Sequence, residues 1–600
     1  MKKRIGSMLL AACMLLPACG QFIMGGTSSL ESSSVESSFS SQYSSSSSSN
    51  SFESSSNSFE SSSNSFESSS NSFESSSNSF ESSSDSFESS SDSFESSSDS
   101  FESSSASFES SSASFESSSD SFESSSDSFE SSNENSSDAD CGNSHTDVND
   151  DGRCDGCQIS VTVTIDFLAL NDLHGKFTDT DTQPGVDELS TYIKETKAMN
   201  KNTVVLSSGD MWQGSAESNL TKGKIVTEWM NEMDFVAMTL GNHEYDWGEE
   251  YVIENSELAQ FPFLGINVYE RATNKRVDYC QPSIMIEQSG VQIGIIGSIG
   301  DCYSSISSEK VQDIYFKTGS ELRELVKAES IRLREEGADF IVYSTHEGYH
   351  YDSVLSNGYV DLIFEGHTHQ DYVSKDGAGI YHLQNGGDNE GISHAQVTIN
   401  YANGNSTVEK AEFVETSQYT HLSDDPIVET LMKKYEDEIS LAGKVLGKNS
   451  KYRNSREILN TCAKLYYETA LATWGDEYDI VLGGGFMSAR SPYNLQAGTV
   501  TYGDLQMILP FDNQLVLCSI SGYDLKTKFF ETTNDRYYIY YESYGEQVKA
   551  NIQYNKTYYI ITDTYTSTYR YNNLTEIARF DETTFARDLL AAYIEQGGWA

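Results

Sequence analysis

The chain has 600 residues and a formal net charge of −53 with histidine neutral. Acidity on that scale favours solubility and argues against binding along the phosphate backbone of DNA or RNA. A site for an anionic substrate must therefore bring its own positive charge, and bound metal ions are its most compact source.

The N-terminal "MKKRIGSMLLAACMLLPACG" combines three basic residues, a short apolar run and small residues before a cysteine. This is a secretory signal, too short to span a membrane. "LPAC", ending at Cys19, resembles a bacterial lipoprotein box, in which the cysteine is acylated. It is preferred to "LAAC" at Cys13, which leaves only a few apolar residues before it; a plain cleaved signal is the alternative. No other stretch approaches the roughly 20 apolar residues of a membrane span. The expectation is a signal over 1–19 and an extracellular protein held to the bacterial membrane by lipid alone.

Residues 20–138 are dominated by serine, with "SFESSSN" or a close variant every seven residues from Phe52 to Phe129. A coiled coil needs two apolar positions per heptad, and here there is one. The segment reads as a disordered, anionic stalk. In 139–158, Asp147, Asn149 and Asp151 alternate and Gly152 follows, as in the first half of a calcium loop, although the twelfth position is Gln158 rather than Glu. Two alternatives are zinc held by Cys154, Cys157, Cys141 and His145, and a polar linker with one disulfide. Among nine cysteines, connectivity is not readable from sequence.

From 159 to 422 short β-rich runs alternate with helical patterns. "VTVTIDFLAL", "NTVVLSSG", "FVAMTLG", "VQIGIIGSIG", "DFIVYSTH" and "DLIFEG" are predicted strands; "ELSTYIKETKAM" and "SELRELVKAESIRLREEG" are predicted helices. This is an α/β layout, whose functional groups gather beyond the carboxyl ends of strands. "DPIVETLMKKYEDEIS" predicts a linker helix within 423–445. A second block, 446–600, holds "LNTCAKLYYETALATW", "DIVLGGG" and "TYGDLQMILPFDNQLVLCSISGYDLKTKFF".

The strand ends are unusual. "ALNDLHG" carries Asp172 and His174, and "LSSGDMWQG" carries Asp210. "LGNHEYD" carries Asn242, His243 and Asp246, "YSTHEG" His346, and "FEGHTHQ" His367 and His369. Five runs end in His, Asp or both, most beside a glycine. Imidazole with carboxylate suits zinc, manganese, iron or cobalt. His350, His382, His394 and His421 fit no such pattern and read as ordinary histidines.

This set resembles the calcineurin-like metallophosphoesterases, and within them the 5′-nucleotidase family, on "NDLHG", "GNHEYDWG", "GGG…RSP" and "LPFDN". The resemblance covers about 160–600. It implies a four-layer α/β/β/α metallophosphoesterase domain followed by an α+β substrate-binding domain. It also implies two divalent cations, the first on Asp172, His174 and His369, the second on Asn242, His346 and His367, with Asp210 bridging. His243, oriented by Asp246, would be catalytic without binding metal. Two such cations polarise phosphoryl oxygens and activate water for in-line attack.

In the second domain the resemblance implies Phe511 and Tyr565 as aromatics sandwiching a base, and Asn513 facing it. Arg456 and Arg490 would lie on the phosphate side. The family's "NGGGIR" is here "LGGGFMSAR", with Leu482 in place of the Asn. Its ribose-binding "GGDG" is replaced by "TSTYRYNN", with Tyr571 near the Asp position. The expected activity is hydrolysis of nucleoside 5′-monophosphates or related nucleotides, with no nucleic-acid polymer as partner. The alternatives are a 2′,3′-cyclic-nucleotide phosphodiesterase or nucleotide-sugar hydrolase, and a stalked surface binding protein with weak catalysis.

Overall fold

In the computed structural model the described residues are 145–179, 184–348, 358–486, 494–530, 538–540, 542–570, 573–581 and 584–600. All lie in the compact unit Ser128–Ala600. The signal with Cys13 and Cys19, the Ser-rich stretch, Cys141, His350, Arg490 and Tyr571 fall outside the described residues.

Among the described residues the first block contains fourteen strands in chain order. They are β1 Thr162–Leu170, β2 Thr203–Ser207, β3 Ala237–Thr239, β4 Phe263–Leu264, β5 Val268–Glu270, β6 Ser283–Gln288 and β7 Val291–Ser298. Then follow β8 Ile314–Phe316, β9 Phe340–Thr345, β10 Leu362–Phe364, β11 Tyr372–Lys375, β12 Tyr381–Gln384, β13 Gly391–Asn400 and β14 Ser406–Glu415. Two six-stranded sheets result, ordered β14-β13-β1-β2-β3-β4 and β11-β12-β10-β9-β7-β6. Strands β1 to β4 run parallel in one, and β7, β9, β10 and β12 run parallel in the other.

Alternation along the strands sets the layers, because successive side chains leave opposite faces of a sheet. On β1, Ile165, Phe167 and Ala169 pack between the sheets with Ile293, Ile295, Phe340, Val342 and Phe364. Leu168 and Leu170 face the other way, toward Leu189 and Ile193 of helix Asp187–Met199 and Val226 and Trp229 of helix Lys224–Glu232. Helix Gly319–Glu335 covers the second sheet through Leu322, Val326 and Leu333. Each Leu, Ile, Val or Phe among them, fully buried, contributes about 1.5–3 kcal/mol. The order helix, sheet, sheet, helix is the four-layer arrangement expected.

The predicted linker helix is broken. Helix Pro426–Lys434 is followed by Glu436–Ile439 and a 3-10 turn Ser440–Gly443. The first piece is capped by Asp425, which accepts from the Ile427 N–H and from Lys194 Nζ at 2.6 Å. Val428 and Leu431 join the helix-side core of the first block. This segment is therefore packed surface, not spacer.

The second block is built on β15 Val445–Asn449, β16 Ile480–Phe486, β17 Gly498–Thr501, β18 Leu515–Ser521, β19 Tyr538–Tyr540, β20 Thr557–Asp563 and β21 Thr575–Arg579. Strands β15 and β17 pair alone, and the rest form a sheet ordered β19-β16-β20-β18-β21. Helix Ser455–Trp474 starts at a capping box, Asn454 with Glu457, which satisfies otherwise orphaned N–H groups. With helix Ala586–Glu595 it shares a core with Leu517 and Ile561 of the sheet.

Candidate active site

The metal-type side chains all leave the chain just past the carboxyl ends of parallel strands, β1, β2 and β3 of one sheet and β9 and β10 of the other. Asp172, His174, Asp210, Asn242 and His346 are buried. Two groups of three ligand atoms fall within 4.8 Å of one another, Asp172–His174–His369 and Asp172–Asp210–His346. Asp172 is common to both, and Asp210 belongs to the second. His367 forms a further group with His346 and Cys302.

The donor set fits cations. His174 Nδ1 lies 2.8 Å from the Gln213 carbonyl and His346 Nδ1 2.7 Å from that of Ser208. A carbonyl only accepts, so each Nδ1 carries a proton and each Nε2 is the nitrogen left to meet a cation or a second proton. His174 Nε2 and His369 Nε2 are 3.0 Å apart, a contact that needs a cation or proton between them. Asp172 Oδ2 is taken by Asn171 Nδ2 and the His367 N–H, whereas its buried Oδ1 makes no hydrogen bond. Asn242 Oδ1 is likewise buried without a donor. Such orphaned acceptors are costly unless a cation meets them. Divalent metal ions are what this donor set and this fold imply.

Electrostatics agree. Burial opposes ionisation of Asp172 and Asp210, but the neighbouring histidines, His346 foremost, together outweigh it and hold both below the usual carboxylate range. Burial likewise opposes the charged His346 ring, yet Asp210, at 2.9 Å, and Asp172 push it up to about 10. Burial and the His346 charge hold His367 down to about 4. The carboxylates thus demand positive charge, which a divalent ion supplies more compactly than protons.

The backbone is bent to achieve this. Asp172 (φ 50°), His174 (50°), Asp210 (55°), His367 (73°) and His369 (53°) are all left-handed. Each costs on the order of 1–3 kcal/mol and persists only where surroundings impose it. Gly241 is required by close approach, since a Cβ there would stand 2.3 Å from Asp210 Oδ1.

The Glu244 carboxylate accepts the backbone N–H of Asp210 (2.9 Å), Met211 (2.8 Å) and Gly241 (2.7 Å). It clamps the loop after β2 to the loop after β3. Glu244→Gln places an amide NH2 against those donors. It should cost about 1–3 kcal/mol, read as a lower midpoint in urea unfolding of metal-free protein. Asn171 and Asn385 play a similar part, each accepting the other's backbone N–H at 3.1 Å. Neither clamp shows a periodicity by which sequence reading could find it.

His243 stands apart from the metal-type cluster. Its N–H donates to Asp210 Oδ1 at 2.7 Å, and Nδ1 lies 2.6 Å from Asp246 Oδ2. The ring stacks on Phe511 with centroids 6.0 Å apart and planes at 27°. Both line a cavity of about 1000 Å³ with His367, Asn513, Tyr565 and Arg579. Cys302 beside the cluster donates its S–H to the Ile299 carbonyl at 2.7 Å, and burial keeps its thiol pKa well up.

Of the two arginines expected on the phosphate side, one is described and does not reach the cavity. Arg456 is exposed on the first turn of its helix, beside the capping box, and is not among the lining residues; Arg490 lies outside the described residues. The arginines near "LPFDN" are instead Arg587, bound to the Leu509 carbonyl and Asp512, and Arg579, bound to Glu309 and Glu576. Asp512 also receives Lys222 Nζ at 2.7 Å from the first block, which seats the Phe511 loop. His382 and His394 are buried against Glu365 (2.8 Å) and Asp166 (2.7 Å), and His421 is exposed. In the candidate calcium loop, buried Asp147 accepts from the N–H of Asp151 and Gly152, while Asn149 and Asp151 are exposed.

Residues 165–371 match the calcineurin-like phosphoesterase family. The chain carries a calcineurin-like phosphoesterase domain. It is thereby a phosphate-ester hydrolase with relatives among the 5′-nucleotidases. The protein UshA of Yersinia enterocolitica is 27% identical over 61% of this chain and 75% of its own. A 5′-nucleotidase of Diplobatis ommata is 25% identical over 60% and 70%. A 5′-nucleotidase precursor from Thermus thermophilus superposes with a TM-score of 0.57 at 17% identity, covering 72% of this chain and 96% of that one. That likeness extends the phosphoesterase domain's fold relationship into the second block.

Proposed function

We propose that this phosphoesterase hydrolyses nucleoside 5′-monophosphates or closely related nucleotides to nucleoside and phosphate. The carrying observation is the convergence of Asp172, His174, Asp210, Asn242, His346, His367 and His369 beside a cavity that also holds His243 and Phe511. Two divalent cations, when bound, polarise the phosphoryl oxygens and make water acidic enough to attack at neutral pH. In this reading Asp172, His174 and His369 hold one, and Asn242, His346 and His367 hold the other. Asp210, with its Oδ2 against His346 and its Oδ1 held by the His243 amide, would be the carboxylate shared by both. Asp246 accepts the Nδ1–H of His243 and stabilises the imidazolium form, whose second proton, on Nε2, would be handed to the leaving oxygen. The "LPAC" pattern supports an extracellular protein tethered through Cys19, acting on small phosphate esters that reach the cell surface.

The test is a panel of nucleoside 5′-monophosphates, a 2′,3′-cyclic nucleotide, a nucleotide sugar and an aryl phosphate, each with zinc, manganese or cobalt and with chelator. Preferential, chelator-sensitive cleavage of the monophosphates is expected. Preference for the cyclic or sugar substrates would replace this reading, and no turnover on any substrate would favour a binding protein. Phe511→Ala should raise KM for nucleotides roughly 5- to 150-fold, the value of one stacked base. It should leave KM for the aryl phosphate nearly unchanged, because that ester offers no base.

A further inference from the structure

A second cluster of metal-type donors lies outside the catalytic site. His145, Cys154 and Cys157 bring a ring nitrogen and two sulfurs within 4.8 Å of one another. His145 Nδ1 is 3.6 Å from Cys157 Sγ, and the same ring hydrogen-bonds the Cys154 side chain. Cys154 is 1% exposed. The backbone N–H groups of Cys157, Thr146 and Gly156 all point at its sulfur. N–H groups converging on one sulfur, two from within the C-x-x-C turn and one from Thr146, form a nest for negative charge. A disulfide sulfur is uncharged and has little use for three donors, whereas a thiolate is stabilised by each of them.

The turn is also held firmly. The Cys154 N–H donates to the Ile159 carbonyl at 2.9 Å, and the Gln158 N–H to that of Cys154 at 2.8 Å. The loop between His145 and Cys154 docks on the β13–β14 hairpin. Asn400 Nδ2 reaches Asp147 at 2.7 Å, and Asn403 and Asn405 reach Asp150 at 3.0 and 3.1 Å. The ligand atoms are therefore positioned from both sides, immediately before β1.

We propose that His145, Cys154 and Cys157 form a structural zinc site that clamps the start of the folded body. Sulfur and imidazole donors at this spacing suit a borderline-soft d10 cation, whereas calcium takes oxygen ligands only. Binding displaces the two thiol protons to solvent and leaves two thiolates and a neutral imidazole on the ion, with no oxidant or reductant needed. A water or a further side chain completes the tetrahedron. The site is independent of catalysis, since none of its residues lines the cavity.

The experiment uses the full chain, stripped and reloaded with cobalt(II). Sulfur ligation gives a near-ultraviolet thiolate-to-cobalt charge-transfer band, which imidazole and carboxylate ligands do not. The band is expected in the native chain and should be lost in Cys154→Ser/Cys157→Ser. That variant should keep its circular dichroism spectrum and hold about one zinc fewer per chain. Absence of the band in the native chain overturns the proposal, and that measurement needs no variant to fold. So does a Cys154–Cys157 disulfide found by mass spectrometry in protein that binds no cobalt through sulfur. A band that survives the double substitution and disappears in Cys302→Ser overturns it as well, by placing the thiolate beside His346 and His367.

Discussion

Asp210→Asn is expected to abolish measurable phosphate-ester hydrolysis while the protein stays folded. The substitution keeps the shape but removes the charge that faces His346 at 2.9 Å and accepts the His243 N–H at 2.7 Å. Losing even an outer partner of a metal ligand commonly costs 10–100-fold, so losing the proposed bridging charge should cost more than about 100-fold in kcat. Bound metal should fall in parallel. The measurements are steady-state rates on an aryl phosphate, elemental analysis after dialysis, and circular dichroism for the fold. Near-normal rates with full metal content would remove Asp210 from the bridging position and leave Asp172, common to both groups, as the carboxylate among the described residues placed to share two ions.

His243→Ala should behave in the opposite way toward metal. The ring lies against His174, centroids 5.2 Å apart, yet belongs to neither of the groups containing Asp172. Metal content should therefore be retained. The rate should fall by about 10²–10⁴-fold, the usual contribution of a positioned acid. The loss should be largest for esters with poor leaving groups and smaller for an activated aryl phosphate, whose leaving oxygen needs no proton. Asp246→Asn should follow the same pattern more weakly, because it leaves the ring and withdraws only the carboxylate 2.6 Å from Nδ1. Equal losses on activated and unactivated esters would rule out proton donation by His243.

The two outcomes separate cation binding from proton transfer, a division of roles that the family resemblance implies, whereas the donor types themselves are legible in the sequence. Each ligand type and the strand that delivers it are written in a few neighbouring residues, as in "NDLHG" or "GNHEYDWG". An apolar run shows a buried strand, and a polar packet at its end shows where the chain leaves the core. The second block was less legible, because phosphate-side arginines depend on loop geometry. Arg456 has the right charge and sits on an exposed helical turn. Arg587, which no motif marks, holds Asp512 and through it the Phe511 loop.

Sequence alone determined the order and chemistry of the donors along the chain, and the alternation that gives each strand two buried faces. Both are local properties, set by residue type and by the two-residue repeat of extended backbone. Only the tertiary structure decided that the five strand ends belong to two facing sheets, and that five donors adopt left-handed backbone. Glu244 as clamp for three N–H groups and helix Pro426–Lys434 as part of the first core were decided there too. Those features arise from pairings between residues far apart in the chain, where hydrogen bonds and burial outweigh local preference and leave no periodic trace in the sequence.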